Sequence, residues 1–413
     1  MIARTVKDWF LISGEDNAER FAFVALMAAV SAALVSIAAS QVLLAAAIAG
    51  AAWIWKKQGK SSLRFPPFLW PLLCFMAWTV AAALSSHNVL LGLKETKKFF
   101  LYSTLLLVPW VARSQGAVLR IYRAIFLVSV VAAASGVVQF LGNPNRDLLH
   151  RISGFMSNWM TYSGILMLVL VALVAFAICR PHRENWWVLP LAILLVAGLY
   201  LSKTRSTQVG AVVGLATVLF LRRPRATLVL AALVTLLYFG SPEVIKQRYR
   251  SSLDLRDPNT ANRIELFHTS IRMIRDNPWL GVGPKNVNQE ALRYRGKNGF
   301  PNWLYQHMHN DFTQVAAERG IPGLLLWLWL MARLAWDALG VFRSARKDAM
   351  ENEGALVIST AALGVWAALL AAGMFEWNFG DSEPLTLFLF MVAAPYAITA
   401  GARKPETAAV SAD

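Results

Sequence analysis

Charge is scarce in this sequence. Asp, Glu, Lys and Arg make up 15% of its 413 residues against 57% apolar residues, and mean hydropathy is +0.47. That balance excludes an ordinary soluble domain, in which about a quarter of the residues are charged. Cysteine is scarcer still. Cys74 and Cys179 both fall in or at the edge of apolar runs, which argues against a structural disulfide and leaves the redox compartment open. A Walker A loop and an Asp-x-Asp pair are missing, and the turn Gly281-Val282-Gly283-Pro284 lacks the third glycine and preceding strand of a dinucleotide loop. Acidic residues number 24 against 40 Lys and Arg, a net charge of +16. The basic residues form short clusters between apolar runs, without aromatic interleaving on one polar domain. This argues against nucleic acid and for topology signals plus an anionic ligand. The first apolar run starts at Phe21, behind Asp8, Glu15, Asp16 and Glu19, a pattern unlike that of a cleaved signal peptide.

Long apolar runs are what the sequence has instead, at 21–39, 41–56, 66–85, 99–112, 118–141, 160–179, 186–202, 207–221, 226–240, 321–342, 355–376 and 384–401. They predict an all-α, polytopic integral membrane protein of about twelve transmembrane helices embedded in membrane lipid. Helices 1–9 fall within 1–241, a large polar loop carrying short helices occupies 242–320, helices 10–12 fall within 321–402, and 403–413 is a tail. Lys56, Lys57, Lys60 and Arg64, then Arg113, Arg120 and Arg123, Arg180 and Arg183, Arg222, Arg223 and Arg225, and Arg343, Arg346 and Lys347 all lie in loops of one parity. Arg4, Lys7, Arg403 and Lys404 put both termini on that side too, and the positive-inside rule makes it cytoplasmic. The opposite side then receives 86–98, 142–159, the tight turn at Arg205 and the loop 242–320. Basic residues in a turn that short run against the rule, so Arg205 is a functional candidate, with snorkelling at a helix end as its plain alternative.

Inside the large loop, a helix is expected to start at Asn259-Thr260 and end at Asn277-Pro278, with Ile264, Phe267, Ile271 and Ile274 as its apolar stripe and Arg263 at the stripe's edge. Another is expected from His309 or Asn310 to Gly320. No metal site is expected, because His307 and His309 are spaced i,i+2 and such a pair does not share a helix face. The remaining chemistry belongs to arginines and one histidine. Arginine's planar fork suits phosphate, and neutral histidine suits a proton taken from a hydroxyl. Arg205 and Arg263 nearby would favour the neutral form of His309. Such groups suit a hydroxyl attacking a sugar carbon whose leaving group is a lipid pyrophosphate. A loop histidine bonded to backbone accounts for His309 equally well at this point.

The block His309-Asn310-Asp311-Phe312-Thr313-Gln314, continued by Glu318-Arg319-Gly320-Ile321-Pro322-Gly323, resembles the signature of the O-antigen ligase superfamily. Ser202-Lys203-Thr204-Arg205-Ser206 agrees, as do Asn262-Arg263 leading to Asp276-Asn277-Pro278-Trp279-Leu280-Gly281-Val282-Gly283, and Arg151-Ile152-Ser153-Gly154-Phe155. One departure is Asn158-Trp159-Met160, where many relatives have an Asn-Pro-Asn-like turn. The superfamily holds lipopolysaccharide O-antigen ligases, O-antigen polymerases and protein O-oligosaccharyltransferases. The resemblance, nearest to the ligases, implies a metal-independent, cofactor-free glycosyltransferase of the bacterial inner membrane. Its donor would be a glycan on undecaprenyl pyrophosphate, its acceptor lipid A–core, and its site periplasmic. His309 would serve as the base, with Arg205 and Arg263 holding the pyrophosphate. Lys94, Lys97, Lys98, Arg151 and Asn310 are further substrate-binding candidates. A lipid-linked oligosaccharide flippase is a more distant alternative, but such a protein would be expected to place charges near mid-span and to show repeat symmetry, and here the charges gather at one face.

Overall fold

The computed structural model describes residues 16–59, 65–143, 151–180, 183–251, 254–296 and 300–401. Expectations resting on Arg4, Lys7, Lys60, Arg64, Arg403, Lys404 and the tail 403–413 lie outside the described residues. Within them the chain is helical throughout. Besides the short helix Val89–Leu93, nine α-helices precede the large loop among the described residues: α1 Asn17–Ala32, α2 Ile37–Gln58, α3 Leu69–Leu84, α4 Phe99–Val111, α5 Gln115–Leu141, α6 Trp159–Cys179, α7 Val188–Ser202, α8 Arg205–Arg222 and α9 Ala226–Gly240. The loop carries α10 Glu243–Arg250, α11 Pro258–Asp276 and α12 Val287–Tyr294, and then follow α13 Asp311–Lys347, α14 Glu353–Gly373 and α15 Ser382–Gly401.

A helix therefore stands at each expected apolar run. Six helical segments are long and apolar enough to cross a membrane: α2, α5, α6, residues 185–202 with α7, α13 and α14. The pair α9–α10, bent by 115°, would make a seventh, and α3 and most of α15 are shorter apolar helices. The chain is a multi-pass helical membrane protein. Twelve crossings is a larger figure than length alone supports, since a perpendicular span takes about twenty residues and α1 has 16, α4 has 13 and α9 has 15.

Helices α6 and α14 form the centre, most of their residues being buried. Helix α8 packs antiparallel on α14 through small residues. A Cβ on Gly210 would meet the Ala368 carbonyl at 2.7 Å, and one on Gly214 the Gly364 carbonyl at 2.8 Å. Close backbone approach of this kind is what glycine four residues apart permits between membrane helices. It brings Arg205, the first residue of α8, to the same end as the turn 374–381 after α14. Other connections gather there. The Gln139 side-chain carbonyl accepts from the N–H groups of Ser153 and Gly154 at 2.9 and 3.0 Å, and Asn286 donates to the Asn88 carbonyl at 3.3 Å.

The large loop has its own small core of Leu266, Met273, Val282, Val287, Ala291, Leu304, Tyr305, Met308 and Ala317. This corrects the expected stripe on α11. Phe267 and Ile271 are exposed, and the buried face is Glu265, Leu266, Thr269, Ser270 and Met273. The polar members are tolerated because they satisfy one another: Glu265 accepts from Thr269 at 2.9 Å, Arg272 at 3.0 Å and the Gly296 N–H at 2.6 Å. Helix α11 also starts earlier than expected, capped by Asp257, whose carboxylate accepts from the N–H groups of Asn259 and Thr260.

Helix α13 breaks at Gly320, with φ 69° and ψ −179°. The turn 277–283 seals the break, Val282 N–H donating to the Ala317 carbonyl at 2.9 Å and Gly283 N–H to the Glu318 carbonyl at 3.0 Å. On the other side Ile321 N–H donates to the Pro278 carbonyl at 2.8 Å. The glycine-rich turn thus caps the carbonyls that a broken helix leaves orphaned, a structural duty in place of a phosphate loop.

The loop parity predicts opposite compartments for reporter fusions at Arg222 and Lys297. The same signal at both positions would remove the assignment of the large loop to the periplasm.

Candidate active site

Asn310 caps α13, its side-chain oxygen accepting from Thr313 N–H at 3.0 Å. The two histidines precede that cap. His307 is extended at φ −158°, and His309 is left-handed at φ 47°, a conformation uncommon outside glycine, though histidine is among the residues that adopt it more often. Because neither residue is helical, the i,i+2 pair does not diverge. The rings lie 4.1 Å apart and both reach one carboxylate. Glu376 Oε1 is 3.0 Å from His309 Nδ1 and 3.2 Å from His307 Nε2. It also accepts from Trp377 N–H at 3.1 Å. The spacing argument against convergence of the two histidines is thereby overturned, and their nitrogens and the Glu376 carboxylate lie within 4.8 Å of one another, close enough to share a metal ion.

Glu376 carries no signal in the sequence alone, because it lies in a short connection between two apolar runs. Its side chain is 5% exposed, whereas those of His307 and His309 are 31% and 23% exposed. Burial on its own would raise its pKa. Hydrogen bonds from both histidines outweigh that and hold the carboxyl well below the usual range. An ionised Glu376 fixes the Nδ1–H tautomer of His309 and leaves Nε2 as the basic nitrogen, the arrangement that orients a general base.

Several hands hold the turn that carries Glu376. Arg263 Nη1 donates to the Phe375 carbonyl at 2.7 Å, and the Asn310 amide donates to the Met374 carbonyl at 2.8 Å. Phe379 N–H donates to Asp311 at 3.2 Å, and Thr161 donates to Asp381 at 2.8 Å. Asn310 thus uses both ends of its amide within the protein.

Beside this turn the structure gathers arginines. Arg205 Nη1 donates to the Arg248 carbonyl at 2.8 Å, Arg248 Nη2 donates to the Lys203 carbonyl at 3.2 Å, and Arg151 lies 5.0 Å over the Trp159 ring. Burial, then the charges of Arg248, Arg205 and Arg263, pull the Arg151 pKa down to about 10. Burial and Arg205 likewise lower Arg248. Burial lowers Arg263 too, with Glu376 opposing it. Guanidinium does not give up its proton at neutral pH. Like charges collected at partly buried positions repel unless an anion joins them, and a diphosphate matches the guanidinium fork. Arg248, which the sequence does not single out, is a member of this group.

Lys94, Lys97 and Lys98 do not join the arginines. They line a separate cleft with Lys285, to which Trp377 contributes a wall.

Residues 190–328 match the sequence model of a family described as O-antigen ligase, a stretch that includes Arg205, Arg263 and His309. A Rickettsia conorii protein provisionally described as a polysaccharide ligase is 27% identical over 186 residues, which is 42% of this chain and 44% of that protein. A Rickettsia felis protein with the same description is 27% identical over 42% of this chain and 45% of its own length. One from Rickettsia typhi is 24% identical over 63% of this chain and 66% of its own length. The matched stretch spans less than half of the first two relatives.

Proposed function

We propose that the chain is a member of the O-antigen ligase family, whose sequence model its residues 190–328 match, and that it transfers a glycan from undecaprenyl pyrophosphate to a sugar of lipid A–core. The reaction takes place at the periplasmic face of the bacterial inner membrane, with both termini cytoplasmic. The observation that carries this reading is the pairing of His309 with buried Glu376 beside four arginines. The acceptor hydroxyl gives its proton to His309 Nε2 as its oxygen bonds to the anomeric carbon of the donor glycan. The bond from that carbon to the pyrophosphate oxygen breaks, and undecaprenyl pyrophosphate leaves with both electrons. Arg205 and Arg263, aided by Arg151 and Arg248, hold the diphosphate and take up the charge that grows on its oxygen. Asn310 and Arg263 keep the Glu376 turn in place. The family match and the similar proteins support glycosyl transfer of the polysaccharide-ligase type.

The test supplies purified protein with undecaprenyl-pyrophosphate-linked glycan, with and without lipid A–core, in excess chelator. Product attached to the core, and none without it, is expected. Longer lipid-linked chains from donor alone would replace the ligase reading with a polymerase. Activity lost to chelator and restored only by a divalent ion would assign His307, His309 and Glu376 to a metal.

A further inference from the structure

Three consecutive residues of the turn 374–381 face three different surroundings. The Phe375 carbonyl takes Arg263 of the arginine group, Glu376 takes the histidines, and Trp377 forms a wall of the lysine cleft. The cleft has a volume of about 670 Å³ and is lined by Lys94, Lys97, Lys98 and Lys285, with Glu95 and Glu318 as its carboxylates. Both carboxylates are themselves buried and already engaged by partners. Glu95 lies 2.6 Å from Lys98, 3.6 Å from Arg319 and 3.9 Å from Lys285. Glu318 pairs with Arg319 and accepts from the Lys285 N–H at 3.0 Å and from Gln314 at 2.9 Å. Four lysines and Arg319 therefore face two carboxylates. Asp311 and Asp381 lie in the field of Lys98, and burial pushes both carboxyls up, which weakens any offset they bring. Lys94 and Lys97 are exposed and make no ion pair among the described residues. Lys98 lies 5.5 Å over the Trp377 ring, so the cleft offers an apolar face beside its cations.

The geometry points to a second anion site. We infer that this cleft binds a phosphate group carried by the acceptor saccharide, while the arginines hold the donor diphosphate. This inference rests on the ligase reading. An acceptor fixed by its phosphate next to Trp377 presents its hydroxyl to His309, with the donor's leaving group on the far side of the same turn. Lysine suits this task, since a monoester phosphate of variable position is met by flexible point charges, whereas the diphosphate that must be held through bond breaking is met by rigid forks.

The experiment compares wild type with the triple variant Lys94→Gln, Lys97→Gln, Lys285→Asn in the full chain. Asparagine suits position 285, where φ is 59°. Lys98 is left intact because it neutralises buried Glu95. With lipid A–core as acceptor, the triple variant should raise acceptor KM about tenfold or more, leaving kcat and donor KM within about twofold. Phosphatase-treated acceptor should give wild type the same raised KM and change the variant little. A rise in donor KM, or an equal penalty with phosphate-free acceptor, would overturn the assignment. If wild type transfers nothing, the ligase reading fails, and equilibrium binding of labelled lipid A–core still decides the cleft. Phosphate-dependent binding lost in the triple variant supports it, and equal binding by both proteins refutes it.

Discussion

Replacing His309 with Ala is expected to reduce glycan transfer by roughly 10²–10³ or more, the usual loss when one transition-state group is removed. The protein should stay folded and inserted, because the His309 side chain is partly exposed and its polar contact is to Glu376. Arg205→Ala and Arg263→Ala should lose a comparable amount. Lys at either position should rescue only in part. Each arginine spends one nitrogen on a backbone carbonyl, that of Arg248 for Arg205 and that of Phe375 for Arg263. A planar guanidinium presents several donors at fixed angles, whereas an ammonium making the same contact has no fork to offer. Glu376→Gln should cost about 10–100-fold, in the range of lost orienting partners, since an amide binds His309 Nδ1 without stabilising the imidazolium. His307→Ala should be milder than His309→Ala. The readout is initial transfer rate per amount of monodisperse purified protein. Equal losses at the two histidines would refute the choice of His309 as base.

Much of this site was legible because its residues sit where the membrane pattern makes them odd. Arg205 occupies a tight turn that loop parity assigns to the side where the positive-inside rule expects few basic residues, and His309 lies in a polar run just ahead of an apolar one. The cap at Asn310 and the break at Gly320 follow from residue type alone. Glu376 was illegible for a different reason. A single acid in a short connection carries no periodic signal, and only the folded position of α14 beside α13 places it under the histidines. The convergence of His307 and His309 depended on backbone angles before the helix, which helical spacing does not describe. The buried face of α11 went astray because Glu265, Thr269 and Ser270 bury as a mutually bonded set, whereas hydropathy alone selects Phe267 and Ile271. The twelve helices were legible, but their number as crossings also depends on tilt and on bent pairs such as α9–α10.

The largest expected loss of stability comes from a single methyl group at Gly320. Its φ of 69° with ψ near 180° lies in a region open essentially to glycine, and a side chain there carries about 1–3 kcal/mol of strain. An added Cβ would also lie 2.0 Å from the Trp279 carbonyl oxygen and 2.7 Å from that of Pro278. Both are backbone atoms of the turn that caps the break, so neither can swing aside as a flexible side chain would. Gly320→Ala must therefore push that turn off α13, losing the bonds from Val282, Gly283 and Ile321. With the strain added, a loss of several kcal/mol follows, among the largest effects of point substitutions. Gly340→Ala is the control. It lies in the same helix with nothing within 4 Å of the added atom, and alanine for glycine in a helix is favourable by about 0.5–1 kcal/mol. Thermal unfolding of detergent-solubilised protein, followed by size-exclusion chromatography after heating, should show a sharply lower midpoint or no folded protein for Gly320→Ala. Gly340→Ala should match wild type or exceed it. Equal midpoints for the two variants would mean that the 277–283 turn does not lock the break, and the fixed placement of His309 above Glu376 would then need another cause.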